Sequence, residues 1–69
     1  MEWPSLTGEQ FFAVLRRNGW TLIVEGDIWW ANRERGAIKR RLRFQPETEL
    51  SPQDVERWAA LLGLERADL

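Results

Sequence analysis

Three short segments rich in β-branched and aromatic residues follow one another with only turns between them. They are residues 20–24, 28–32 and 37–44. Gly26 and Asp27 separate the first segment from the second, and Gly36 precedes the third. Because glycine and aspartate favour turns, each segment is predicted to be a strand joined directly to the next. The order predicts a three-stranded antiparallel meander.

A helix is predicted on the N-terminal side of these strands. Thr7 and Gln10 have the spacing of a capping box, in which each side chain binds the other residue's backbone amide. Asn18 and Gly19 end the helix, since glycine accepts the left-handed closing conformation. Apolar residues recur at helical spacing and form one stripe, which consists of Phe11, Phe12, Val14 and Leu15.

A second helix is predicted after the acidic loop of residues 45–50. Ser51 is its N-cap, Pro52 occupies the first turn, and Asp54 places a carboxylate at the positive end of the helix dipole. Gly63 closes it, and residues 65–69 are expected to fray. Its buried stripe is predicted to be Val55, Trp58, Ala59 and Leu62.

These elements predict an α+β fold of order α-β-β-β-α, with both helices packed on one face of the sheet and the other face open. The 69 residues allow one domain, 1–69, with a core over about residues 7–64. The chain has no cysteine and no histidine, so neither a disulfide nor a Cys/His zinc site can stabilise it. Five tryptophans and three phenylalanines supply the apolar area instead, and we expect Trp3 to cover an edge of the core.

The third strand alternates between apolar and basic side chains, which must lie on opposite faces. The apolar set is Ile38, Leu42 and Phe44, and the basic set is Lys39, Arg41 and Arg43. Arg40 shares the apolar side, where we expect its charged end to reach the solvent at an edge or to pair with a carboxylate. One face of this strand is therefore predicted to be core and the other to be exposed and basic.

Charge is unevenly distributed along the chain, whose net charge is only −1. Between residues 33 and 43, six basic residues stand against one acid, a net charge of +5, whereas the remainder carries −6. One interpretation is a surface that contacts phosphates through Lys39, Arg41 and Arg43, with Arg33 and Arg35 at the adjoining turn. The alternative is a solvated sheet face whose charges prevent aggregation.

Trp29 and Trp30 are adjacent on the second strand and must point to opposite faces. Trp30 shares its side with Ile28 and is predicted to lie in the core, which leaves Trp29 outside. An exposed tryptophan beside arginines could stack on a nucleic-acid base or anchor a protein partner. Alternatively, Trp29 packs on an arginine side chain or under the N-terminal segment.

The order of these landmarks resembles the HicA toxin family, small bacterial RNA-cleaving proteins that are blocked by a partner antitoxin. The first helix of that family ends in an Asn-Gly-aromatic step, as in residues 18–20 here. Its last helix follows a Glu-Leu-Lys-Pro stretch and ends in Gly-Leu, similar to residues 49–52 and 63–64. The resemblance spans about residues 7–64 and implies a fold like that of double-stranded-RNA-binding domains.

One departure from the HicA pattern concerns catalysis. The family's catalytic histidine lies in a Gly-Ser-His turn, and alignment from Gly26 puts Asp27 at the serine and Ile28 at the histidine. Isoleucine cannot transfer a proton. The family's Pro-x-His segment on the third strand is also missing. The resemblance therefore implies a member without histidine-dependent cleavage.

Composition leaves little basis for an enzyme. Cys–His and Ser–His catalysis need residues that the chain lacks, and the glycines form no phosphate-binding loop. Glu25 and Asp27 could in principle support metal-assisted hydrolysis, but turn chemistry explains them better. We therefore expect no cofactor, no metal, no membrane partner and a cytoplasmic location. Two functions stay open: RNA or polyanion binding, and a protein-interaction module that uses the open face and Trp29 as a homodimer or with an antitoxin-like partner.

Overall fold

The computed structural model describes residues 2–33 and 38–69. In chain order the elements are β1 (Leu6–Thr7), α1 (Gly8–Arg17), β2 (Thr21–Glu25), β3 (Ile28–Arg33), β4 (Ile38–Leu42), β5 (Glu49–Leu50), α2 (Pro52–Leu61) and a 3-10 turn (Arg66–Asp68). Strands β2, β3 and β4 form an antiparallel sheet in that order. The predicted α+β class and meander are therefore confirmed.

Both helices begin at reciprocal caps. The Thr7 hydroxyl accepts a hydrogen bond from the Gln10 amide at 3.1 Å, and the Thr7 amide donates to Gln10 Oε1 at 2.9 Å. Ser51 and Asp54 form the same arrangement at 3.2 Å in each direction. Each box satisfies two amides that a helix N-terminus otherwise leaves without partners. The helix starts predicted at Thr7 and Ser51 are confirmed.

The segment predicted to be an acidic loop contains a short strand that the sequence analysis missed. In this strand, β5, Glu49 and Leu50 pair with Thr7 and Leu6 of β1. The backbone of Gln45 approaches the start of α1 so closely that a Cβ atom at Gly8 would lie 2.0 Å from the Gln45 carbonyl oxygen. Glycine at position 8 therefore allows the start of α1 to pack against residues 45–48.

The core lies between the two helices and one face of the three-stranded sheet. Phe44, which follows β4, is its central aromatic side chain. Its ring lies 5.8 Å from the ring of Phe11 and 5.4 Å from that of Phe12, both on α1, and 5.2 Å from that of Trp58 on α2. Ala31 of β3 is fully buried on the same side. On the apolar side predicted for the third strand, Leu42 and Phe44 are therefore buried as expected, whereas the predicted burial of Ile38 is wrong because its side chain is 40% exposed.

Trp29 packs toward the helices, so its predicted exposure on the open side of the sheet is wrong. It pairs with Val24 on β2 and with Leu42 on β4. Its ring centroid lies 4.8 Å from that of Phe12 on α1. Leu42 is buried, and side chains directly opposite each other in an antiparallel sheet share a face. The pairing with Leu42 therefore brings Trp29 to the core side.

Trp30 lies on the opposite side of the sheet, so its predicted place in the core is also wrong. It pairs with Ile23 on β2 and with Arg41 on β4. The neighbouring Ala31 marks the core side of β3, because its side chain is completely covered. Adjacent residues alternate, which puts both Trp30 and the half-buried Ile28 outside.

The C-terminal residues differ from the predicted frayed end. Asn18 caps α1, and its side-chain amide donates to the carbonyl oxygen of Asp68 at 3.1 Å. Leu69 is half-buried against the core. Trp58 is only half-buried as well, whereas the prediction placed it fully in the core. Trp3 packs against the core as expected.

Three sequence predictions fall outside the described residues. They are the position of Arg35, the turn at Gly36 and the start of the third strand at residue 37.

Candidate functional site

The side of the sheet that faces away from the helices is called the open face below. Its side chains come from alternate positions of the three strands. They are Thr21, Ile23 and Glu25 of β2, Ile28, Trp30 and Asn32 of β3, and Lys39 and Arg41 of β4. Arg43 continues the alternation beyond the end of β4 and is exposed between two buried neighbours. The predicted arrangement of Lys39, Arg41 and Arg43 on the side away from the buried Leu42 and Phe44 agrees with this pattern.

Trp30 lies at the centre of the open face with a cation above its ring. The Nζ atom of Lys39 is 4.5 Å from the ring centroid. The same Nζ is 3.7 Å from Oε1 of Glu25, which reaches across from β2. The ring and the carboxylate therefore hold the lysine over β3, although pairs as exposed as this one contribute only about 0–1 kcal/mol to stability.

Arg41 lies beside Trp30, and no carboxylate in the described part of the chain pairs with it. Within residues 2–33 and 38–69, no acidic oxygen lies within 4.0 Å of the guanidinium of Arg41 or of Arg43. Both side chains are exposed. Along a strand, alternate residues are about 7 Å apart, so Lys39, Arg41 and Arg43 form a row of cations at that spacing. Two members of this row therefore have no neutralising acid among the described residues.

Arg43 also borders a groove between the end of β4 and α2. The groove is lined on the α2 side by Arg57, Trp58 and Leu61, and Leu61 is 54% exposed. Arg57 lies 3.7 Å from Asp54. Arg43 therefore lies where the open face meets this groove. Along the chain it is two residues beyond Arg41, which pairs with Trp30.

Two of the other predicted binding residues do not lie on the open face. Arg33 shares the helix side of the sheet, where its guanidinium lies 5.4 Å from the ring of Trp20. Trp29 packs on Phe12 as described above. The structure therefore brings together Lys39, Arg41 and Arg43 but places Arg33 and Trp29 on the other side.

Trp30 and Glu25 are the two residues that sequence reasoning missed at this site. A signal for Trp30 was present in the small size of Ala31, since an alanine between larger residues fits beneath a closely packed helix. The role of Glu25 depends on the pairing of β2, β3 and β4, which brings it within reach of Lys39. No local pattern in the sequence reports that contact.

The turn that the HicA resemblance aligns with a catalytic centre receives a contact from the segment that follows β4 at the same end of the sheet. Gln45 Nε2 donates to the carbonyl oxygen of Asp27 at 2.7 Å. Ile28 is half-buried as the first residue of β3. No group of three or more acidic side chains that could hold a metal is found within the described part of the chain.

The open face is built from alternate residues of the three paired strands β2, β3 and β4. Four concave surfaces among residues 2–33 and 38–69 include no residue of these strands; they involve the N-terminal segment, β5, the segment after β4, α2 and the C-terminal turn. Small-molecule sites are usually concave. A sheet face that carries a row of exposed cations is suited instead to an extended ligand such as a polymer.

Comparison with known proteins gave no match: no protein-family model, no curated protein and no solved structure is similar to this chain. The resemblance to the HicA family stays a prediction. Within the described residues, neither α1 nor α2 is long and apolar enough to span a membrane.

Proposed function

We propose that this domain binds RNA through the open face of its sheet. Lys39, Arg41 and Arg43 contact phosphates, and Trp30 provides a rigid apolar surface among them. The single observation that supports this most strongly is that Arg41 and Arg43 are exposed and have no carboxylate partner in the described chain, although the protein as a whole has a net charge of −1. Unpaired cations arranged along one strand attract a polyanion.

The row of cations is matched to a linear ligand. Its spacing of about 7 Å follows from strand geometry and is similar to the separation of successive phosphates along a nucleic-acid strand. Phosphate contacts give affinity without base specificity, and they release counterions. Binding should therefore weaken steeply with salt and depend little on the RNA sequence.

Trp30 contributes in two ways to the proposed interface. It orients Lys39 through the cation–π contact at 4.5 Å. When a ligand phosphate draws the lysine away, the ring face becomes available for a base to stack on it, a contact worth about 1–3 kcal/mol. This combination of an aromatic platform with neighbouring cations is typical of nucleic-acid-binding sheets.

Binding without cleavage belongs to the same proposal. The position that the HicA resemblance assigns to the catalytic histidine is Ile28, which cannot transfer a proton. A relative of such toxins without the cleaving residue would act in the cytoplasm, where RNA is present.

Arg40 and Arg41 offer a matched pair for testing the proposal. They are adjacent, identical in charge and on opposite faces of β4, since Arg40 pairs with Ala31 and Arg41 with Trp30. Binding of fluorescently labelled single-stranded and duplex RNA is measured by anisotropy at low and moderate salt. Arg41→Gln should weaken binding by about fivefold and reduce the salt slope by about 0.7–0.9. Arg40→Gln should cause a clearly smaller loss.

Several outcomes would contradict the proposal. Absence of binding at low salt would rule out an RNA function for this face. Equal losses for Arg40→Gln and Arg41→Gln would show that only net charge matters. RNA binding that does not depend on salt would contradict phosphate contacts as its source. In the alternative, a protein-interaction module, the predicted anchor Trp29 is packed against Phe12 on the helix side.

A further inference from the structure

The outer edge of β2 is the least protected part of the three-stranded sheet. β2 pairs with β3 on one side only, so its other edge faces away from the sheet. Apart from the ladder with β3, no backbone hydrogen bond found in residues 2–33 and 38–69 involves Thr21–Glu25. The strand is nevertheless regular, with five consecutive residues in register with β3. An edge of this kind presents unpaired N–H and C=O groups to another strand.

The two edges of the sheet differ in how they resist strand addition. The β4 edge carries Lys39, Arg40 and Arg41 in succession. Natural proteins commonly protect edges with charged residues, proline, bulges or a covering element. The sequence of β2, Thr-Leu-Ile-Val-Glu, has its one charge at the end, and its central residues Ile23 and Val24 are 37% and 50% exposed. β2 therefore lacks the protection that β4 has.

We propose that the β2 edge pairs with the β2 edge of a second copy of this chain, in an antiparallel register centred on Ile23. Ile23 is the middle residue of the five in β2, so centring the register on it gives every residue of the strand a partner. Ile23 then lies opposite its own equivalent, Leu22 lies opposite Val24, and Thr21 lies opposite Glu25. The centre is formed by apolar β-branched and leucine pairs, which stabilise cross-strand contacts, and no like charges face each other.

The symmetry of this pairing is compatible with the fold. A two-fold axis perpendicular to the sheet at Ile23 keeps both open faces on one side and all four helices on the other. Leu22 and Val24 meet on the helix side, and the two Ile23 side chains meet on the open side. The product is a continuous six-stranded sheet whose two β4 strands form its outer edges.

Charge repulsion disfavours the alternative in which two β4 edges pair. In a β4–β4 register centred on Arg40, the Arg40 side chains of the two copies would lie opposite each other. Each Lys39 would lie opposite the Arg41 of the other copy. Like charges directly opposite each other destabilise a sheet. The second copy is therefore expected at β2. Because the edge is five residues long, the association belongs to the weak class of interfaces.

Ile23 and Ile38 allow a controlled test. They are the same residue type with similar exposure, 37% and 40%, and they lie on opposite edge strands. Sedimentation of the full chain, without RNA, is followed from low micromolar to near-millimolar concentration. The native chain and Ile38→Lys should both shift toward twice the monomer mass, whereas Ile23→Lys should weaken association by about tenfold or more. Circular dichroism checks that each variant folds.

Two further variants test the register itself. A mixture of Ile23→Lys and Ile23→Glu should associate more tightly than either variant alone, because the axis then places opposite charges together. The chain has no cysteine, so Ile23→Cys should form a disulfide-linked dimer on oxidation while Ile38→Cys stays largely monomeric. This conservative substitution keeps the test valid if a charged variant fails to fold.

The proposal is overturned if the native chain stays monomeric throughout the concentration range and Ile23→Cys does not cross-link more than Ile38→Cys. It is also overturned if Ile23→Lys associates as strongly as the native chain, since the contact would then lie elsewhere. The measurement contains no RNA, so its outcome is independent of the proposed RNA binding.

Discussion

At the scale of single residues, the roles of Lys39, Arg41 and Gly8 follow from their immediate surroundings. Lys39 is held by Trp30 and Glu25, whereas Arg41 next to it has no acidic partner among the described residues. Gly8 is needed because a carbonyl oxygen occupies the space where any other residue would carry its Cβ atom. These roles lead to two predictions.

Replacing Gly8 by alanine should lower the free energy of unfolding by about 1–3 kcal/mol, because the new methyl group meets the backbone of Gln45. The backbone cannot rotate away as a flexible side chain would. The hydrogen bond from the Gly8 amide to the carbonyl oxygen of Thr48, at 2.8 Å, would be strained as well. Urea unfolding measures the loss, with Ser5→Ala on the exposed segment as the control. An unchanged midpoint for Gly8→Ala would contradict the close approach.

Replacing Glu25 by glutamine should tighten RNA binding by up to about fivefold, because Lys39 loses a competing carboxylate worth up to about 1 kcal/mol. Glu9→Gln makes the same change in net charge at an exposed position of α1 and serves as the control. Anisotropy titrations compare the two variants with the native chain. Equal effects of both substitutions would contradict a specific role for the Glu25–Lys39 pair.

At the scale of elements, the sequence predicted what local interactions determine. The helix starts at Thr7 and Ser51 were correct because each cap is formed within four consecutive residues. The alternation of the third strand was correct because its polar and apolar residues differ strongly. The phase of β3 was wrong because Trp29 and Trp30 are equally apolar, so their own hydrophobicity cannot decide between them; the small Ala31 and the pairing of Trp29 with Leu42 both mark the core side.

Other features depend on contacts between distant parts of the chain. Strands β1 and β5 are two residues each and are separated by more than forty residues, so neither has a pattern of its own. The ordered C-terminus depends on Asn18, whose amide binds the carbonyl oxygen of Asp68. Within the candidate site, the row Lys39, Arg41 and Arg43 could be predicted, whereas Glu25 enters it only through the sheet register.

Because Trp29 lies on the helix side of the sheet and Trp30 on the open face, substituting the two adjacent tryptophans should have different effects. Trp29→Ala should lower the free energy of unfolding by about 2–4 kcal/mol, since it removes a ring packed on Phe12. Trp30→Ala should destabilise the fold less and instead weaken RNA binding by about 1–3 kcal/mol. Urea unfolding and anisotropy are measured on both variants. The reverse assignment of the two effects would contradict the register.

The capping boxes should each contribute measurably to stability. Thr7→Ala and Ser51→Ala should each lower the free energy of unfolding by about 1 kcal/mol, because an amide at the helix start loses its acceptor. In a domain this small, such a loss is a large part of the total. Thr7→Ser, which keeps the hydroxyl, is the matched control. A loss as large for Thr7→Ser as for Thr7→Ala would show that the hydroxyl is not responsible.

At the scale of the whole molecule, the fold separates charge and apolar area. Lys39, Arg40 and Arg41 lie in succession along β4, while exposed acids such as Glu9, Glu47 and Glu56 lie on α1, on the loop before α2 and on α2. Core aromatic residues replace the disulfides and Cys/His zinc sites that the chain cannot form. A small domain is thereby stabilised by packing on one side of its sheet while the other side stays available for binding.

The most direct test of that arrangement is nuclear magnetic resonance of the native chain during titration with a short single-stranded RNA at low salt. The five tryptophan indole N–H groups report separate sites. The signals of the Trp30 indole and of the Lys39 and Arg41 amides are expected to shift, while those of the Trp3 indole and of α1 stay in place. Shifts confined to the helices, or no shifts at all, would contradict that arrangement.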